Sequence, residues 1–265
     1  MKRKQKKPFR LMSLPFVAFR HSLYQTDFYD IDHHDNAMFD LMCSRIFNIL
    51  NKKSVDTFRF DRNIELKDIS KNWEIIKEAI NIYTATETLM RDVLDMVLNK
   101  FERINTLFVD TNLPLLYDGF TKKKFKNLYL GGENTVFSSK DFMEIETDVL
   151  LIQSSSMDVM VLHEFLLEWT KLPRNPDKRE PQVIRIFNIK ADDSILQGIH
   201  THLWNPKHRG KHYVIHLENG AMAVDCSKER DLMRPDGKLA TVLVTKSTFD
   251  FFVWERTFHK IPANA

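Results

Sequence analysis

Four short segments of the chain share one pattern, and this pattern limits the fold more than any other feature. Each segment has a polar lead followed by apolar residues that alternate or run together, which predicts a β-strand. The segments are residues 104–110 (INTLFVD), 125–131 (FKNLYLG), 148–154 (DVLLIQS) and 181–189 (PQVIRIFNI). Their anchor leucines are 21 and 22 residues apart, at Leu107, Leu128 and Leu150.

Helical segments lie between some of these strands. Residues 157–169 place Leu162, Phe165 and Trp169 on one side of a helix, and residues 90–104 show a second amphipathic pattern. A strand–helix unit repeated roughly every 20–29 residues is typical of leucine-rich-repeat solenoids. We therefore expect a degenerate repeat region of this kind, and the alternative is an ordinary α/β layer without true repeats.

The C-terminal third predicts a small antiparallel sheet. Residues 212–226 read as two strands around Asn219 and Gly220, a dipeptide that tolerates the positive φ angles of a tight hairpin. Residues 235–237 (Pro-Asp-Gly) predict another turn, and an apolar strand, TFDFFVWE, follows it.

Residues 8–53 predict a small helical module. Two apolar stretches with helical spacing, LMSLPFVAFRHSL and AMFDLMCSRIFNIL, are joined by a polar connection with capping residue types. Residues 1–7 hold five basic side chains, so we expect a disordered basic tail, with a nuclear-localisation or anionic-surface signal as the alternative. The predicted fold class is thus α+β: an N-terminal helical module, a degenerate leucine-rich-repeat-like region and a small antiparallel C-terminal sheet.

Composition argues against several classes of protein. The chain has only 7 glycines, which opposes dinucleotide-binding and P-loop folds. Its net charge of +3 comes largely from the basic tail, so no broad nucleic-acid surface is indicated. The two cysteines, Cys43 and Cys226, are far apart and compatible with a reducing compartment. No signal-peptide pattern or run near the ~20 apolar residues of a membrane span is present. We expect a soluble intracellular protein, cytoplasmic, nuclear or both.

Catalytic signatures are weak throughout the chain. There is no GxSxG nucleophile motif and no HExxH metal motif, and nothing calls for a cofactor. One alternative is a metal-dependent enzyme that uses the clustered histidines His200, His202, His208 and His212. A second alternative is a nucleic-acid binder that uses the lysines at 122–126 and 207–211.

Both ends of the chain resemble nematode-type F-box proteins. Leu14, Pro15 and Phe16, followed by helical apolar positions and then LMCSR, resemble a divergent F-box. Three later stretches resemble the type 2 F-box-associated domain: DVLLIQSSSMDVMVLHEFLLEWTKL, MRPDGKLATVLV and TFDFFVWE. The two matches follow the family's order and span most of residues 8–50 and 147–255.

This resemblance implies a non-enzymatic substrate-recognition adaptor of a cullin-RING ubiquitin ligase, without a cofactor or metal. Residues 8–53 would bind a Skp-family linker, and through it a cullin, while residues 54–265 would form the F-box-associated domain that binds the target. The concave strand face and exposed C-terminal aromatics would hold that target. The longer loop at 30–35 leaves one alternative, a protein-binding module with a degenerate F-box that no longer assembles a ligase. The linker-binding residues implied are Leu14, Pro15, Phe16, Phe19, Leu23 and Leu41.

Overall fold

A ten-stranded mixed sheet is the framework of the fold. The computed structural model describes residues 17–21, 26–30, 54–60, 78–84, 91–101, 104–109, 117–132, 136–153, 157–171, 177–217 and 220–254. The strands are β1 (Val17–His21), β2 (Thr26–Asp30), β3 (Ser54–Phe60), β4 (Glu78–Thr84), β5 (Thr106–Val109), β6 (Asn127–Leu130), β7 (Val149–Ile152), β8 (Val183–Phe187), β9 (His202–Leu203), β10 (His212–Leu217), β11 (Gly220–Asp225), β12 (Arg230–Met233), β13 (Leu239–Val244) and β14 (Thr248–Val253). The helices are α1 (Arg91–Lys100), α2 (Ser139–Glu144) and α3 (Val159–Trp169), with short 3-10 helices at Gly119–Lys122 and Asp193–Leu196.

One half of the sheet is parallel and follows the order of the chain. Strands β3 to β8 lie side by side, and each pairs in parallel with the next. The four strands predicted from the apolar segments are confirmed as β5 to β8, and their register aligns Leu107, Leu128, Leu150 and Ile184. In β7, the run VLLI has its alternate residues Leu150 and Ile152 buried on one face and Val149 buried on the other, which explains why the run is continuously apolar.

The other half of the sheet is antiparallel. Strand β14 pairs with β8, and β13, β12 and β9 follow in that order, each antiparallel to its neighbour. The predicted turn at 235–237 joins β12 to β13, and Gly237 has a φ of 86°, a conformation that favours glycine. The hairpin predicted at 212–226 is confirmed as β10 and β11, which form a two-stranded sheet. Gly220, predicted as a turn residue, is instead the first residue of β11 and lies opposite Leu217.

The three helices share one core cluster with one side of the strands, which we call the helix face. Aromatic rings run through this cluster: Phe142 meets Phe165 at 5.5 Å between ring centroids, and Phe165 meets Phe251 at 5.2 Å, both edge to face. Helix α3, predicted at 157–169, begins where the Asp158 side chain accepts a hydrogen bond from the Met160 amide. Within the described ranges, no helix has the length and apolarity needed to cross a membrane.

The opposite side of the sheet, which we call the hairpin face, is partly covered by β10 and β11. Its cluster of buried apolar residues joins four strands of the sheet to the hairpin and comprises Val149, Val183, Ile215, Cys226, Leu243 and Phe252. The Tyr213 ring stacks on Phe252 at 4.7 Å between centroids, and its hydroxyl donates to the Val253 carbonyl at 3.0 Å. The hairpin is therefore fixed against the sheet by both packing and a hydrogen bond.

The predicted fold class is wrong in two respects. Residues 17–21 and 26–30, placed in a helical module, form an antiparallel strand pair in which Phe19 lies opposite Phe28. Apolar runs rich in aromatic and β-branched residues suit both a buried helix and a strand, and here the strand is formed. The predicted leucine-rich-repeat-like region and the separate C-terminal sheet are also wrong, because pairing of β8 with β14 joins the strands of both into one mixed sheet. The remaining residues of the predicted module and the basic tail at 1–7 lie outside the described residues.

Candidate functional site

A row of apolar side chains crosses the hairpin face next to the hairpin. Phe108 lies opposite Tyr129 in the register of the sheet, and Tyr129 lies opposite Leu151. Side chains alternate between the two faces of a strand, so these three point away from the helix face occupied by Leu107, Leu128 and Leu150. All three are partly exposed. We call Phe108, Tyr129 and Leu151 the apolar row.

The row is continuous with the core beneath the hairpin. The rings of Phe108 and Tyr129 are 6.0 Å apart between centroids, and Tyr129 and Leu151 pack against the hairpin-face cluster. Beside the row, the buried Asn127 amide donates to the Thr106 hydroxyl at 3.0 Å, which ties β5 to β6 on this face. The row is thus held on rigid strands and is not part of a loop.

A charged pair ends the row on the hairpin side. Arg185 follows Leu151 in the register, and its guanidinium donates to both carboxylate oxygens of Asp250, at 2.7 and 3.0 Å. It also donates to the Met222 sulfur at 3.2 Å and lies 5.3 Å from the centroid of the Phe187 ring. Burial raises the pKa of Asp250, and Arg185 only partly offsets this. The pair therefore fixes a polar boundary between the apolar row and the hairpin.

A second charged pair is fully buried where the hairpin meets the sheet. The Arg209 side chain is 0% exposed, and its Nε donates to both carboxylate oxygens of Asp231 at 2.9 and 2.8 Å. Arg209 also donates to the carbonyls of Gly210 and Cys226. The Thr241 hydroxyl donates to Asp231 at 2.7 Å, and Thr241 accepts from the Trp254 indole. The charges of Arg209 and Asp231 are thus fully paired in structural contacts.

The histidines predicted as a possible metal site are not brought together as one. His200 and His202 make an edge-to-face ring contact at 4.6 Å between centroids, whereas His212 lies on β10 opposite Asp225. Burial, followed by the neighbouring His200, lowers the pKa of His202. No group of three or more histidine, cysteine or acidic side chains in the described part of the chain could hold a metal ion.

The described cysteine is not an activated nucleophile. Cys226 is buried, and this burial raises the pKa of its thiol to about 11. A thiol with such a pKa is protonated at neutral pH and unreactive. Cys43 lies outside the described residues.

Most of the residues implied for linker binding lie outside the described residues. Phe19 is in strand β1, where the resemblance implies a helix. The other five, Leu14, Pro15, Phe16, Leu23 and Leu41, lie outside the described residues, so this set stays a prediction. Of the C-terminal aromatics expected to hold a target, Phe249, Phe251 and Phe252 are core residues at 0% exposure. Trp254 is partly exposed and packs against the hairpin-face cluster.

Sequence reasoning did not single out the apolar row. The available signal is alternation: Phe108, Tyr129 and Leu151 each follow an anchor leucine by one position, so all three face away from the anchors. Nothing in the residue types alone distinguishes them from core aromatics such as Phe120, which is 0% exposed.

This chain is similar to a nematode protein over part of its length. No protein-family model matches this chain, and no solved structure matches it. An uncharacterized protein of Caenorhabditis elegans is 25% identical over 194 residues, which cover 68% of this chain and 42% of that protein. The chain therefore spans less than half the length of this curated relative, and the similarity carries no assignment of activity.

Proposed function

We propose that this chain is a non-enzymatic protein-binding module that holds its target on the hairpin face. The observation that carries the proposal is the apolar row, three partly exposed side chains in register on adjacent rigid strands. Large aromatic side chains supply much of the energy of protein interfaces, because they bury a large area at a small cost in side-chain entropy.

The surroundings of the row also favour binding over chemistry. Asp250 and Asp231 are buried and committed to arginine partners, and Cys226 has a raised pKa. Fixed charges beside an apolar patch orient a partner, while the patch itself supplies affinity. Arg185 is in this position, since its side chain is 15% exposed and borders the row.

The test begins with selection of peptides from a random display library on the full chain. The affinity of an enriched peptide is then measured by calorimetry for the wild type and for Tyr129→Ala and Leu151→Ala. We expect each variant to bind at least about tenfold more weakly, because losing about 1.4 kcal/mol of contact energy has this effect. The matched control is Val214→Ala, which removes a 46% exposed side chain on the outer side of the hairpin. Unchanged binding by the row variants, or an equal loss in the control, would contradict the proposal.

A more specific form of this function is the ubiquitin-ligase adaptor, an intracellular role supported by the sequence resemblance of residues 8–50 and 147–255. In this form, a Skp-family linker binds the N-terminal region, and the target bound to this chain is held close to the ligase at a high effective concentration. The test is co-purification of a Skp-family linker with the full chain and with a Leu14→Ala/Phe16→Ala double variant. Retention by the wild type and loss in the folded variant supports the adaptor. If neither the wild type nor the double variant retains the linker, the adaptor is excluded, and the alternative is a protein-binding module with a degenerate F-box.

A further inference from the structure

The topology of the sheet gathers several charged segments at one edge. Parallel strands begin at the same edge, so the residues just before β6, β7 and β8 are neighbours there. Strand β14 runs antiparallel to β8, and β13 runs antiparallel to β14, so β13 runs in the same direction as β8 and also begins at this edge. The turn at 234–238, which precedes β13, therefore lies at this edge as well. Backbone bonds confirm the arrangement: the Gln182 amide donates to the Asp148 carbonyl at 2.8 Å and the Val253 amide to the Gln182 carbonyl at 2.8 Å.

A polar cleft of about 400 Å³ opens at this edge. Four cationic side chains line it, namely Lys178, Arg179, Arg234 and Lys238, against three acidic ones, Asp148, Glu180 and Asp236. Its lining thus has one more positive than negative charge. The volume accommodates a few side chains but not a globular surface.

The floor of the cleft is a fixed guanidinium. The Arg234 side chain is 1% exposed, donates to Glu180 at 2.7 Å and to both oxygens of Asp236 at 2.9 and 2.7 Å, and lies 5.3 Å from the Trp169 ring centroid. Burial opposes its charge, but the carboxylates of Asp236 and Glu180 outweigh this effect and raise the pKa of Arg234. Arg234 therefore stays charged and holds the two acids in place.

The rim cations are less constrained. Arg179 is 44% exposed and lies 3.3 Å from the Asp148 carboxylate, and its guanidinium also donates to the Phe125 carbonyl at 3.0 Å. Lys238 is 38% exposed and donates to Glu180 at 3.1 Å. Lys178 donates to the Met143 carbonyl and makes no ion pair with any described residue. The ion pairs of Arg179 and Lys238 are exposed and contribute little to stability, so exchanging them for an incoming anion costs little free energy.

We propose that this cleft binds an acidic segment of a partner protein through its carboxylates. The excess positive charge of the lining and the cations at the rim attract the carboxylates of the partner. The ion pairs of Arg234 with Glu180 and Asp236 fix the shape of the cleft. A nucleic acid fits less well, because every nucleotide carries a phosphate and some phosphates must meet the three acids of the lining, whereas the carboxylates of a peptide can be spaced around those acids. The cleft lies at the strand-start edge and not on the hairpin face, so this inference does not rest on the role proposed for the apolar row.

The experiment measures fluorescence anisotropy of a fluorescein-labelled Glu-Gly repeat peptide titrated with the full chain. A Gln-Gly peptide of the same length and a single-stranded thymidine oligonucleotide are the comparison ligands. The variants are Lys178→Glu and the Lys178→Gln/Arg179→Gln pair. The matched control is Lys190→Gln/Lys246→Gln, which removes two exposed lysines beyond the opposite ends of the strands. Thermal melting verifies that each variant is folded.

We expect the Glu-Gly peptide to bind at least about tenfold more tightly than the Gln-Gly peptide, with that advantage lost in both Lys178 variants and kept in the control. The Tyr129→Ala variant should also keep the tighter binding of the Glu-Gly peptide. The experiment therefore distinguishes a wrong proposal for the apolar row from a wrong proposal for the cleft. Equal binding of the two peptides would overturn the inference. So would tighter binding of the oligonucleotide, or an equal loss in the lysine control.

Discussion

The two faces of the sheet are stabilised in different ways. On the helix face, the core cluster is formed by aliphatic and aromatic residues, with Phe165, Trp169 and Phe251 in edge-to-face contact. On the hairpin face, a smaller apolar cluster lies among two ion pairs, Arg209–Asp231 and Arg185–Asp250. Apolar packing contributes most of the stability of a domain, whereas buried ion pairs contribute little net energy but strict geometry. The helix face therefore maintains the fold, whereas the hairpin face holds a surface in a defined shape.

The largest effect should come from breaking the helix face. Replacing Phe251 with alanine leaves a cavity beneath Phe165 and Trp169, and the free energy of unfolding should fall by about 4 kcal/mol. Urea denaturation followed by circular dichroism measures this loss. Phe108→Ala is the control from the hairpin face, where the side chain is partly exposed and a clearly smaller loss is expected. Equal losses would mean that the two faces do not differ as described.

The next effect concerns the buried pair between the hairpin and the sheet. Asp231→Ala leaves Arg209 buried without its carboxylate partner, so the free energy of unfolding should fall by about 3 kcal/mol. The double variant Arg209→Met/Asp231→Leu removes both charges and should lose less than the single variant. The same urea experiment compares them. A double variant as unstable as the single one would show that this pair is itself a main source of stability.

A smaller effect should appear in the dependence of stability on pH. Burial, then His200, holds the pKa of His202 below the unfolded value of about 6.5, with His208 adding to this and Asp231 opposing it. The unfolded chain therefore binds more protons, so this contribution to stability is present above about pH 6.5 and is lost as the pH falls below it. Urea midpoints between pH 5 and 8 measure the slope, which His202→Asn should reduce relative to His216→Asn. An unchanged slope in His202→Asn would exclude this cause.

The smallest effect is expected at an exposed ion pair on the outer side of the hairpin. Lys211 and Asp225 are 3.0 Å apart, with side chains 51% and 50% exposed. Lys211→Ala should change the free energy of unfolding by less than about 0.5 kcal/mol, because solvent screens such pairs. A loss comparable to that of Asp231→Ala would remove the distinction between buried and exposed pairs on this side of the molecule.

Local features of the fold could be predicted from the sequence, and long-range ones could not. The anchors Leu107, Leu128 and Leu150 indicated three strands, and an Asn-Gly dipeptide indicated the hairpin, because both signals lie within a few residues. The pairing of β8 with β14 depends on burial and register between distant segments, which residue types do not encode locally. The apolar row was missed for a related reason: its exposure is set by which elements cover each face.

The most direct test of the apolar row uses fluorine NMR on the full chain labelled with 3-fluorotyrosine and titrated with a selected peptide. Tyr129 lies in the row, whereas Tyr117 is a 2% exposed residue of the helix-face core and serves as an internal reference. Tyr→Phe variants at each position assign the two resonances. We predict that the Tyr129 resonance shifts as the peptide saturates the chain, while the Tyr117 resonance stays in place. A bound peptide that leaves the Tyr129 resonance unmoved would contradict it.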